Sequence, residues 1–284
     1  MGDGDDFFAK RVVFELPGME RASVRRDIVY KPDPELRFDL YLPEGTPSQD
    51  HVPSVILVHG DGPPEILANA KDWGVFVSLG RLIAASGLCA VAFNHRSSEL
   101  RAMAGRQSST IRTKLTEAAQ DVDDLFAYVR AHHQELQVDP ERLALWVFSL
   151  GPPVGLRTAL RIRPTYIRCI IAYYGIMNLA PLRDEIAPDV PDDVLREFSP
   201  LELLAVSEGP VPPMLIARAG LEERPWLNPT IDRFVAEALE RDLEIDVLNH
   251  PSGYHAFDVL NDDDRSRDIL ARTLQFVGRH LSRS

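Results

Sequence analysis

The sequence predicts an α/β protein, a mostly parallel sheet covered by helices. Two observations carry that prediction: strand-length apolar runs recur along the chain, and amphipathic stretches of helical period lie between them. A third sets the scale. With 284 residues, 45% of them hydrophobic and 26% charged, the chain can bury a large core. A single domain over 1–284 is expected.

Taken in order, Arg26–Lys31 and Leu36–Leu42 read as the first strands. The alternation in FDLYL turns one face outward, as in an antiparallel pair at a sheet edge. Ser54–His59, Leu88–Phe93, Leu143–Phe148, Cys169–Tyr174, Met214–Ala217 and Ile245–Leu248 are near-continuous apolar runs, the pattern of strands buried on both faces. Helical patterns fall between and after them: Trp73–Ala85, about Ile111 to Glu135, one beginning near Gly151, Pro229–Arg241 and Asp264–Leu281. Two segments break the rhythm, Arg96–Thr113 and the Pro-rich Met177–Pro213. Long irregular insertions in a compact domain are commonly functional. The second is read as a small cap at 177–213, with one or two short helices around Asp192–Leu204. Neither an internal repeat nor a low-complexity segment is present.

Chemistry enters at LALWVFSLGPPVG, where Ser149 ends an apolar strand and precedes Gly151 and a helical pattern. A strand, tight turn and helix in that order form a nucleophile elbow, which lifts a serine hydroxyl above the sheet edge. The Leu150 N–H then becomes an oxyanion donor, and Pro152 and Pro153 sit in a first helical turn, where a missing N–H costs little. Val147 departs from the pattern, since it stands where G-x-S-x-G has its first glycine. The competing reading is a serine that ends a strand and caps a helix.

The run VILVHGDGPP ends a strand at His59-Gly60-Asp61-Gly62. Glycines there let a loop turn its N–H groups toward a bound oxyanion, and Asp61 is the expected second donor, with Gly62 as the alternative. His59 reads as structural. In NHPSGYHAFD, His255 follows the last strand on a Gly-containing loop and is preferred as the base over His250. The carboxylate belongs after the preceding strand, in the order Ser, Asp/Glu, His. RAGLEERPW offers Glu222 there, with Glu223 as its substitute.

With RFDLYLPEG at Arg37–Gly45, HGDG, FSLG, RAGLEE and GYHAF, the chain resembles the α/β-hydrolase superfamily over nearly its whole length. Within that superfamily it looks closest to esterases near the dienelactone hydrolase and prolyl-oligopeptidase-like branches. The resemblance implies the α/β-hydrolase fold with an eight-stranded sheet, a triad of Ser149, Glu222 and His255, and no cofactor. It implies a serine hydrolase that cleaves small carboxylic esters. Dienelactone hydrolases carry a cysteine nucleophile, so their substrate is not carried over. Acyl transfer or C–C hydrolysis by the same residues, and a non-catalytic binding protein of this fold, are the alternatives; Val147 is the evidence for the last.

The remaining signals narrow the partners. Lys plus Arg total 31 against 43 Asp plus Glu, a formal charge of -12, so no nucleic acid is expected. Cys89 and Cys169 lie in apolar runs and read as small buried hydrophobes, with no disulfide or metal framework. The opening MGDGDDFFAKR lacks a signal-peptide pattern, Asp6 stands where a myristoylation motif wants Ser or Thr, and no apolar run is long enough for a membrane span. A cytoplasmic protein acting on a small-molecule ester is expected, with a homodimer left open. Asp121, Asp123 and Asp124 read as a solvated helix face or local salt bridges, Asp262–Asp264 as N-capping charge, and Asn94, His95 and Arg96 as a hydrogen-bonded turn beside the pocket.

Overall fold

The computed structural model describes residues 4–99, 108–181 and 190–282. Its strands are β1 (Ser23–Pro32), β2 (Glu35–Leu42), β3 (Val52–Val58), β4 (Cys89–Phe93), β5 (Val138–Phe148), β6 (Ile167–Tyr173), β7 (Met214–Leu221) and β8 (Ile245–Tyr254). They form one eight-stranded sheet in the order β1-β2-β4-β3-β5-β6-β7-β8. The β1–β2 and β2–β4 pairs are antiparallel and all others parallel, as the alternating front pair and the apolar later runs predict.

Strand alternation splits the core in two. Ile56 and Val58 of β3, with Leu143, Leu145 and Val147 of β5, face the helices Ser108–Ala131, Pro152–Arg161 and Leu227–Glu240. Val55, Leu57, Ala144, Trp146 and Phe148 face Gly74–Ala85 and Asp264–Leu281. Because successive side chains of a strand point to opposite faces, strands covered on both sides must be apolar throughout. Cys89 and Cys169 are buried and unpaired, and burial pushes the Cys89 thiol up to about 12.

Two expectations need adjustment. β8 does not stop at Leu248; it runs on through the polar HPSGY to Tyr254, pairing Ala219 with His250 and Leu221 with Tyr254 across an irregularity. β8 is the last strand of the sheet, so it is covered less than the inner strands and its polar residues escape an apolar-run criterion. Gly220 makes the close approach possible, since a Cβ there would lie 2.2 Å from the Pro251 carbonyl oxygen. Of the two readings of the helical aspartates, salt bridges hold and a solvated face does not: Asp121 is fully buried, with Lys31 Nζ and Arg96 Nη2 each 2.8 Å from its Oδ1, and Lys31 Nζ also lies 2.7 Å from Asp124 Oδ2. Asp263 does cap the last helix, accepting from Ser266 N at 2.8 Å.

In the 177–213 insertion the helices Asp192–Phe198 and Pro200–Ala205 form, as expected around Asp192–Leu204. They bury Val194, Phe198 and Leu204 in the core on the Pro152–Arg161 side of the sheet. Part of the insertion, residues 182–189, lies outside the described residues, as does 100–107 of the earlier one. Among the described residues no helix is long and apolar enough to cross a membrane.

Candidate active site

Three strand ends bring three side chains together. Ser149 is the first residue after β5, Glu222 the first after β7 and His255 the first after β8. Since β5 to β8 run parallel, with Phe148 paired to Tyr173 and Leu221 to Tyr254, these residues emerge at the same edge of the sheet. Ser149 Oγ lies 2.8 Å from His255 Nε2, and His255 Nδ1 lies 2.5 Å from Glu222 Oε2.

Ser149 has φ 52°, a left-handed conformation costly for a residue with a Cβ. Its surroundings hold it there: Ser149 N donates to Tyr173 O at 3.1 Å, Ile176 N to Ser149 O at 2.8 Å, and Gly151 N to Phe148 O at 2.7 Å. Gly151 has no room for a side chain, because a Cβ would meet the His59 carbonyl oxygen at 2.8 Å. The structure also accounts for Val147. Its Cγ1 would lie 2.7 Å from a Cβ on Gly155, so the bare backbone of Gly155 in the following helix leaves room for the valine.

Of the two adjacent glutamates, Glu222 turns inward, with a side chain 1% exposed, and Glu223 stays outside. Glu222 Oε1 accepts from Arg224 N and Arg224 Nη1, both at 3.1 Å, which leaves Oε2 for the imidazole. Burial pushes the Glu222 carboxyl up, but the hydrogen bond and charge of His255, with the Arg224 contacts, outweigh it and hold the carboxyl below the ordinary glutamate value. Arg224 carries no motif that singles it out in the sequence; its part is visible only from the tight Glu222–Arg224 turn.

The other histidines are placed differently. His250 is fully buried, with Nε2 3.1 Å from Asp263 Oδ1 and 3.0 Å from Ser266 Oγ, against the last helix. His59 stacks on His95 at 3.7 Å between ring centroids, and its Nδ1 meets the Gly60 carbonyl at 2.7 Å. Burial, then the neighbouring His95, lowers its pKa well below the ordinary histidine value. It therefore stays neutral beneath the loop. Asn94 and Arg96 bond to Lys71 N and Asp121, away from Ser149.

Gly60, Asp61 and Gly62 pass in front of the serine. A Cβ on Gly60 would lie 3.0 Å from Ser149 Cβ and 3.4 Å from Leu150 N, so glycine lets the loop pass close to Ser149 and Leu150. The Asp61 carboxylate points back, accepting from Ser97 Oγ at 3.0 Å and Ser98 N at 2.9 Å, and this fastens the loop to the chain after β4.

Ser149, His255, Arg224 and the Gly60–Gly62 loop open into a cavity of about 350 Å³. Among the described residues, its remaining wall is largely apolar and comes from Phe7 and Phe8, from the segment between Pro63 and Phe76, from Phe148 and Tyr174, and from Ala256 and Val259. The described part of 177–213 contributes none of it. Among the described residues no group of three or more His, Cys, Asp or Glu side chains is arranged to hold a metal ion. Chemically, a hydroxyl hydrogen-bonded to an imidazole that is itself held by a buried carboxylate can lose its proton as it attacks a carbonyl carbon.

No protein-family model matches the sequence, and no curated protein matches it. Solved structures do. A truncated carbohydrate esterase from gut microbiota superimposes with a TM-score of 0.70 at 15% identity, covering 95% of this chain and 100% of that one. The native thermophilic esterase Est2 of Thermogutta terrifontis gives 0.67 at 17% identity over 93% of this chain and 94% of that one. Its propionate-bound form gives 0.65 at 18% identity over 93% and 95%. Strand order, parallel pairing and these likenesses agree that the chain has the α/β-hydrolase fold.

Proposed function

We propose that the protein is a serine hydrolase of small carboxylic esters, with Ser149 as nucleophile, His255 as general base and Glu222 as the acid that orients it. The observation that carries this reading is the relay Ser149 Oγ–His255 Nε2–Glu222 Oε2, at 2.8 and 2.5 Å, on a serine held at φ 52°. His255 Nε2 takes the Ser149 proton as Oγ attacks the ester carbonyl, and the tetrahedral oxyanion is held by the N–H of Leu150 and that of Asp61 or Gly62. The alcohol leaves with the proton from His255. Water, activated by the same imidazole, then attacks the acyl-enzyme and releases the acid. Glu222 accepts from Nδ1–H throughout, fixing the tautomer and stabilising the imidazolium. The esterases that share the fold support the reading, among them a Thermogutta esterase seen with propionate and butyrate bound. Within the superfamily we assign the chain to the neighbourhood of the dienelactone hydrolase and prolyl-oligopeptidase-like branches, on the HGDG, FSLG and GYHAF segments.

The test needs no substrate. A fluorophosphonate probe should add once to the wild-type chain and not at all to Ser149→Ala, read by intact mass. A folded wild-type protein that takes no adduct overturns the reading and leaves a non-catalytic binding protein of this fold.

A further inference from the structure

The cavity beside Ser149 has a wall that the sheet does not build. Residues Gly4–Ala9 form a short helix ahead of β1, and its Phe7 and Phe8 line the cavity. The chain after it is fastened by Val12 N to Ser78 Oγ at 3.0 Å and by Val13 N to the Asp258 carbonyl at 2.8 Å. Gly74 admits it, because a Cβ there would lie 2.4 Å from the Ala9 carbonyl oxygen. This arm pairs with no strand and packs against the start of the Gly74–Ala85 helix.

The lining itself is unusual in kind. Among the described residues, six of the seventeen that line the cavity are Phe, Trp or Tyr, against 8% for the chain, so the wall is distinguished by rings and not merely by apolarity. The rings form a series that leads to the nucleophile. Phe8 lies 4.7 Å from Trp73, Trp73 lies 6.0 Å from Phe76, and Phe76 meets Phe148 edge-on at 5.5 Å. Phe148 precedes Ser149. A planar guest ring entering this series can meet faces and edges at the offset or T-shaped geometries that rings favour, a gain that an alkyl chain of equal area lacks.

We infer that Phe7 and Phe8 of the N-terminal arm are specificity-determining residues, which with Trp73 and Phe76 make the site selective for esters bearing an aromatic ring. The inference rests on the ester-hydrolase reading above and names its substrate class. The ring is carried on either side of the ester bond, and the test covers both.

Proton release on hydrolysis gives kcat/KM for ethyl butyrate, ethyl benzoate and benzyl butyrate in wild type, Phe8→Leu and Phe7→Leu. Each variant keeps an apolar side chain and removes the ring. Comparing the aryl-to-alkyl ratio between proteins cancels the intrinsic reactivity of each ester. The ratio for the better aryl ester should fall about three- to tenfold in Phe8→Leu and in the same direction in Phe7→Leu, the range one aromatic contact supplies. A ratio that moves less than twofold in both variants, while fluorophosphonate still labels Ser149, overturns the inference and leaves the hydrolase reading standing. A wild-type chain that takes no label overturns the hydrolase reading, and this inference with it.

Discussion

The cavity has two halves that are built in different ways. Ser149, Glu222 and His255 each stand one residue beyond a strand end, so pairings such as Phe148 with Tyr173 and Leu221 with Tyr254 fix their separations. The opposite wall, Phe7, Phe8, Ile66 and Trp73, comes from segments outside the sheet that are held by ring contacts and a few backbone hydrogen bonds. Cooperative sheet pairing holds positions within tenths of an ångström, whereas side-chain packing of a surface segment opens at lower cost. The groups proposed to react therefore sit on the rigid half. The groups that would discriminate between substrates sit on the half that tolerates change.

The sharpest way to break this comparison is at its rigid half. Glu222→Gln keeps the shape but removes the charge that the Nδ1–H of His255 meets, so kcat on a soluble ester should fall by about 10²- to 10⁴-fold. Glu223→Gln should leave kcat within about twofold, since that side chain is exposed and outside the relay. A larger loss from Glu223→Gln than from Glu222→Gln would contradict the arrangement at the end of β7.

A smaller effect tests why the elbow tolerates Val147. Gly155→Ala would put a Cβ 2.7 Å from Val147 Cγ1 and 3.3 Å from Val58 Cγ1, inside a packed layer between sheet and helix. Overpacking of this kind costs about 1–3 kcal/mol, read as a lower denaturant midpoint. Adding Val147→Ala to Gly155→Ala should recover part of that loss. If the two changes are simply additive, the valine and the glycine are not exchanging space, and another cause holds the elbow open.

Much of this is legible in the sequence. The inner strands announce themselves because a strand covered on both faces must be apolar, and the order of strand ends makes candidates of Ser149, His255 and one of the pair Glu222 and Glu223. What escaped had physical reasons. The polar end of β8 lies on the outermost strand, where pairing no longer demands apolar side chains, and Asp121 is buried by partners as distant in sequence as Lys31. The aromatic wall was hidden for a similar reason. Phe7 and Phe8 follow no period and Trp73 stands at the very start of one, and the arm reaches the cavity through contacts distant in sequence: Val12 with Ser78, Val13 with Asp258, and the Ala9 carbonyl against Gly74.

Asp258 joins the two halves and supports the last prediction. Its carbonyl accepts from Val13 N of the arm, and its Oδ1 accepts from Tyr174 OH at 2.7 Å, on a ring centred 4.6 Å from that of His255. Burial pushes the carboxyl up to about 6, against a lowering by the Tyr174 hydrogen bond. For an acid raised in the folded state the sign is fixed. Above about pH 4 the unfolded chain ionises while the folded chain keeps its proton, so stability falls until about pH 6, where the folded group ionises too, and is level beyond. A rise of this size corresponds to about 2–3 kcal/mol across that window, at about 1.4 kcal/mol per unit. Asp258→Asn keeps an acceptor for Tyr174 and cannot ionise. Its absolute stability also carries the cost of a buried amide N–H beside Tyr174, so the quantity to read is the difference between variant and wild type as pH changes. The melting temperature of the variant relative to wild type should rise between pH 4 and 6 and then stay constant. A flat difference would mean that Asp258 ionises as it does in the unfolded chain, and that the junction of arm and site is wetter than its burial implies.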